Sequence, residues 1–205
     1  MKLQLALDVD EKKAMIICEK VAKHIDIIEL GTPLVKSSGL QLVKKFKKFR
    51  KPILTDLKTM DVGFYESELA FKKGADIVTV CGCADTATVA GAIKSARKYK
   101  KKVLVDLISV KNIPKRVKEL KKLNPDYFGI HTGIDMQKQG KTPFADLKKL
   151  SKLVSTKKIA VAGGINLKTI DKIAEYNPAV IIVGGAITNS KNPGDVAQQL
   201  KKSLK

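Results

Sequence analysis

The stretch Pro52-Ile53-Leu54-Thr55-Asp56-Leu57-Lys58-Thr59-Met60-Asp61 is a short apolar run that ends in two carboxylates and an ammonium. In an extended strand side chains alternate sides, so Leu54, Asp56 and Lys58 share one side and continue an inward-facing row. Asp61 then falls at the start of the next helix. Taken alone, the string fits a solvated strand end with a helix N-terminal Asp as well as it fits a site. The rest of the chain decides, because the same pattern recurs: an apolar strand, a chemically useful group at its end, then a helix.

Strands are predicted at Leu3 to Val9, Ile25 to Leu30, Pro52 to Leu57, Asp76 to Val80, Val103 to Ile108, Asp126 to His131, Lys158 to Ala162 and Ala179 to Val183. The segments between them repeat apolar residues at the helical period, as in Ala14, Ile17, Cys18 and Val21 or Val89, Ala92, Ile93 and Ala96. No composition shift or low-complexity linker divides the chain. Eight βα units within 205 residues predict an α/β protein with one domain over 1–205, a closed (β/α)8 TIM barrel. An open doubly wound sheet would leave edge strands to protect and surplus units unexplained.

A barrel of this kind keeps its active site at the carboxyl ends of the strands. The residues there are Asp8, Glu29, Asp56 with Lys58, Asp106, His131, and the pairs Gly163-Gly164 and Gly184-Gly185. Asp8 or Asp106 alone reads as a helix cap and His131 alone as a hydrogen-bonded histidine, but their coincidence on one rim points to a site. Asp8, Glu29 and Asp56 brought together repel one another, and Lys58 offsets only one charge. Oxygen-only ligands suit Mg2+ or Mn2+, and Glu29 with Asp56 suffices if a substrate supplies further oxygens. The two Gly-Gly turns let backbone N–H groups approach an anion, which fits a phosphate, although tight turns alone would also use them. The polar segment Met136 to Pro143 is expected to be a mobile cover.

Composition narrows the class. The formal charge of +20 suggests a nucleic-acid binder, but of 40 basic residues only Arg50, Arg97 and Arg116 are arginine, and tryptophan is absent. Lysines spread over the polar sides of the helices without interleaved aromatics predict a solvated surface, with no specific nucleic-acid partner. No apolar run approaches the ~20 residues of a membrane span. The start Met1-Lys2-Leu3 leads straight into a strand rather than a signal peptide, so a cytoplasmic protein is expected. Cys18, Cys81 and Cys83 are an odd set without zinc spacing and are expected to be reduced and structural.

Six stretches scattered over the full length then match a family: Ile27-Ile28-Glu29-Leu30-Gly31-Thr32-Pro33-Leu34, Asp56 to Gly63, Gly74-Ala75-Asp76-Ile77-Val78-Thr79-Val80, His131-Thr132-Gly133, Val161-Ala162-Gly163-Gly164 and Val183-Gly184-Gly185-Ala186-Ile187. In combination the chain resembles the 3-hexulose-6-phosphate synthase family of the orotidine-5'-phosphate decarboxylase suprafamily. The resemblance implies a metal-dependent, reversible aldol addition of formaldehyde to D-ribulose 5-phosphate through a 1,2-enediolate, giving D-arabino-3-hexulose 6-phosphate. It implies that Lys58 faces the developing oxyanion, that His131 is the acid/base group, and that Asp8 orients Lys58 or a substrate hydroxyl. It also implies a homodimer in which Asp61 reaches the partner's site, against the competing picture of a surface Asp61 at its own helix start. A related decarboxylase of 3-keto-L-gulonate 6-phosphate shares the carboxylates but would carry arginines where this chain has Ile134 and Gly185. Orotidine-5'-phosphate decarboxylase itself would use a lysine near Glu29. A polyanion-binding barrel without catalysis is the non-enzyme alternative.

Overall fold

Side-chain alternation along each apolar run produces two apolar surfaces per strand, one for the barrel interior and one for the helices. The computed structural model describes residues 1–204. Its strands are β1 (Lys2–Leu7), β2 (Ile27–Leu30), β3 (Ile53–Thr59), β4 (Ile77–Cys81), β5 (Lys102–Asp106), β6 (Tyr127–His131), β7 (Ile159–Ala162) and β8 (Val180–Val183). All are parallel and close in sequence order, β8 pairing back onto β1. This is the expected (β/α)8 barrel. Leu3, Leu5 and Leu7 of β1 face the helices, where they join Ala14, Ile17, Cys18 and Val21 of the helix Glu11–Val21 in the outer core. A second, smaller core fills the barrel itself, with Ala6, Ile27, Leu54, Ile77, Leu104, Tyr127 and Val180 among its members. Layered inward side chains of this kind make the interior a packed solid below the site.

Several strands begin one or two residues later than the apolar runs suggested: β2 at Ile27, β4 at Ile77 and β6 at Tyr127. The physical reason lies in the residue just before each. Asp26, Asp76 and Asp126 use an oxygen to accept the backbone N–H of Leu3, Ile53 and Val103, at 2.7, 2.9 and 3.0 Å. Each carboxylate thus pins the first or second residue of the preceding strand at the face of the barrel opposite the site. The three pins are spaced by 50 residues, and in the fourth strand pair the equivalent position is Ala179. The other end of the structure is tied by close helix packing. A Cβ on Gly63 would lie 2.0 Å from the carbonyl oxygen of Thr88, so glycine lets the helix Gly63–Lys72 settle against the helix Thr86–Tyr99. Among the described residues no helix is long and apolar enough to cross a membrane.

Candidate active site

The site begins with an irregularity in β3. Its register with β4 runs Thr55 to Val78 and then Thr59 to Val80, so Asp56, Leu57 and Lys58 oppose the single residue Thr79. Lys58 sits in the left-handed region with φ of 46°, a conformation that costs a side-chain-bearing residue on the order of 1 kcal/mol. Neighbours hold it there. The N–H of Lys58 donates to Thr79 Oγ1 at 2.9 Å, and its carbonyl accepts from Cys81 Sγ at 3.3 Å. Thr79 Oγ1 in turn donates to Asp56 Oδ1 at 2.7 Å. The bulge therefore turns both Asp56 and Lys58 into the cavity, as the alternation of Leu54, Asp56 and Lys58 predicted.

The ammonium of Lys58 is bound on two sides, 2.9 Å from Asp56 Oδ2 and 2.9 Å from Asp106 Oδ2. Burial alone would lower its pKa, but the charges of Asp106 and Asp56 outweigh burial and raise it, so the group stays a cation. Asp106 also lies 2.9 Å from His131 Nδ1, and its other oxygen accepts the N–H of Ile108 at 2.9 Å. Burial pushes this carboxyl up, yet the hydrogen bond and charge of His131, with Lys58 and the Ile108 N–H, hold it at about 2. A carboxyl so acidic accepts rather than donates near neutrality, so Nδ1 of His131 is the donor in this contact.

Deeper in the barrel, Glu29 on β2 is buried and accepts from Gln4 Nε2 through Oε2 at 2.5 Å. Burial first, then the charge of Asp56, raises its pKa well above the ordinary carboxylate range. Asp56 is also buried and takes Thr32 Oγ1 at 2.8 Å. Among the described residues no group of three or more His, Cys, Asp or Glu side chains is placed to hold a metal, so the protein offers the carboxylate pair and no complete cage.

Asp8 follows β1 at the mouth, where it is partly exposed, and desolvation and Asp56 raise its pKa. It does not pair with Lys58, whose two carboxylate partners are Asp56 and Asp106. Asp106 was expected on this rim, but its pairing with Lys58 was not. Asp61 is exposed, does not line its own chain's cavity, and accepts the N–H of Val62 at 2.7 Å. The glycines behave as turns with open backbone: Gly163 has φ of 109°, and a Cβ there would meet the Thr132 carbonyl at 2.5 Å. Gly163, Gly164, Gly184 and Gly185 all line the cavity with Asp8, Glu29, Asp56, Lys58 and His131, in a volume of about 630 Å³. The segment expected to be one loop is partly helical, since Met136 to Lys138 belong to the helix Ile134–Lys138, and only 139–143 is irregular. Cys18 and Cys81 are buried and free, with thiols pushed by burial up to about 12, whereas Cys83 is exposed.

Residues 1–200 match the family described as Orotidine 5'-phosphate decarboxylase / HUMPS family. The chain is 43% identical over 207 residues to 3-hexulose-6-phosphate synthase of Bacillus subtilis (strain 168), covering 100% of this chain and 99% of that one. The crystal structure of 3-hexulose-6-phosphate synthase from Salmonella typhimurium superposes with a TM-score of 0.97 at 41% identity, covering 100% of this chain and 98% of that chain. That of 3-keto-L-gulonate-6-phosphate decarboxylase from Vibrio cholerae has the same fold at a TM-score of 0.85 and 26% identity, covering 99% and 96%.

Proposed function

Because the chain belongs to the Orotidine 5'-phosphate decarboxylase / HUMPS family, we propose that it catalyses the 3-hexulose-6-phosphate synthase reaction, the reversible aldol addition of formaldehyde to D-ribulose 5-phosphate. The observation that carries this reading is the ammonium of Lys58 fixed between two buried carboxylates, one of which also holds Nδ1 of His131. The decarboxylase reading is not favoured, since that relative is the more distant and the chain has Ile134 and Gly185 where arginines are expected.

A divalent cation fits the carboxylate pair. Glu29 and Asp56 present oxygens only, and the pKa of Glu29 is raised first by burial and then by the charge of Asp56, a repulsion that a bound cation would relieve. When bound, Mg2+ or Mn2+ supplies Lewis acidity toward the ketose oxygens. The chain's own groups do the rest. Backbone N–H groups of Gly163-Gly164 and Gly184-Gly185 receive the phosphate and orient the pentose. His131 Nε2 takes the C1 proton, and Asp106 steadies the imidazolium through Nδ1. Lys58 places a permanent charge against the enediolate oxygen that appears as the proton leaves. C1 then adds to formaldehyde, and the protonated ring returns a proton to the new oxyanion. Asp8, free of Lys58, holds a substrate hydroxyl at the mouth.

A homodimer completes the reading, with a cytoplasmic location. Met60, Val62, Tyr65 and Leu69 expose apolar surface along the segment that carries Asp61, which supports burial against a second copy with Asp61 in the partner's cavity. Mixed Asp61→Asn and Lys58→Ala chains, each inactive alone, would then regain about a quarter of parental turnover, as one intact site forms in each heterodimer. The reaction is tested by formaldehyde loss with ribulose 5-phosphate, measured with Mg2+ and again after chelation. Metal-dependent loss that requires both substrates is the expected result; none from folded, metal-loaded protein overturns it.

A further inference from the structure

One rung of the barrel departs from its equivalents. Gln4, Leu54, Leu104 and Ala160 occupy the same position in β1, β3, β5 and β7, opposite Ile27, Ile77, Tyr127 and Val180. Three of the four are apolar, as a filled barrel interior requires. Gln4 instead brings an amide into this layer at 1% exposure. Its Nε2 donates to Glu29 Oε2, but its Oε1 is buried and has no hydrogen-bond partner among the described residues. A leucine, as at 54 and 104, would fill the space and remove the orphaned carbonyl, at the loss of the donor to Glu29 Oε2. A buried carbonyl without a donor carries an uncompensated desolvation penalty. Gln4 is itself among the residues that line the cavity.

We propose that Gln4 is a positioning residue for the cation site: its N–H holds one oxygen of Glu29 and leaves the other for the cation, while its free carbonyl accepts a hydrogen bond from a water in the cation's ligand sphere. The assignment rests on Glu29 and Asp56 being the cation ligands. It explains why an amide stands where the other three strand pairs use leucine or alanine, and why only one of its two polar atoms is satisfied by the protein. Partners that orient a metal ligand without touching the metal typically change affinity by about 10- to 100-fold.

The test is Mn2+ binding, followed by the paramagnetic signal of the free ion, in the parent chain, Gln4→Leu and Glu29→Gln, together with melting curves in chelator. Gln4→Leu is expected to weaken Mn2+ binding about 10- to 100-fold while its metal-free melting temperature equals or exceeds the parent's. Glu29→Gln is expected to lose binding. Gln4→Met, which keeps the length without the amide, is expected to match Gln4→Leu and serves if the leucine variant folds poorly. Parental affinity in both Gln4 variants, with Glu29→Gln impaired, overturns the role of Gln4 and leaves the cation site standing. Equal binding in the parent and Glu29→Gln, or none in the parent, overturns the cation site itself and the role of Gln4 with it.

Discussion

Lys58, Asp106 and His131 form a single electrostatic unit in which one carboxylate sets the state of two other groups. Asp106 Oδ2 receives both the ammonium and the imidazole, each at 2.9 Å. Asp106→Asn removes the charge, weakens the grip on Lys58 and lets His131 adopt the other tautomer. We expect kcat to fall about 10²- to 10⁴-fold with the fold intact, read by steady-state turnover and circular dichroism. A variant with near-parental kcat would show that the tautomer is set by something else. The members of this unit are legible in the chain, since Lys58, Asp106 and His131 all fall at strand ends. The partnership of Lys58 with Asp106 is not, because β3 and β5 are separated by a strand and meet only across the closed interior. One signal was there to use. Asp56 and Asp106 are 50 residues apart, the same interval that separates Asp26, Asp76 and Asp126.

At the level of the element, strand type and order follow from the apolar runs, but strand limits do not. The runs count Asp76 and Asp126 as strand, whereas the structure uses their side chains as acceptors for a neighbouring strand's backbone. A bulge is equally silent in sequence, since nothing in the residue type of Lys58 announces φ of 46°. Asp76 shows what such a pin contributes. It accepts Ile53 N–H and pairs with Lys47 and Lys101; burial would raise its pKa, but these partners lower it. A carboxyl held below its unfolded value stabilises the fold fully above about pH 4, and that stabilisation drains as pH falls through the folded pKa. Asp76→Asn should therefore lose about 1–2 kcal/mol at pH 7, and the gap to the parent should narrow in acid, as measured by urea unfolding from pH 7 downward. A gap that widens in acid would contradict the assignment.

Across the whole molecule, the lysine excess has a structural distribution. The helices end at the face where strands begin, and their last turns carry cations, as with Lys20, Arg97 with Lys98, and Lys201 with Lys202. Such charges complement the carbonyl ends of the helices. The carboxylates of the site, Asp8, Glu29, Asp56 and Asp106, gather at the opposite face. The pins add a second asymmetry, around the ring rather than along its axis. Three strand pairs are fastened by aspartate and the fourth, β7 with β8, has Ala179 in that place. Of the four joints that link an odd-numbered strand to the next, three are riveted and one is bare, and among these four the bare one opens first. Native-state amide exchange should release β8 at a lower free energy than β2, β4 or β6, making this joint the place where the barrel first comes apart.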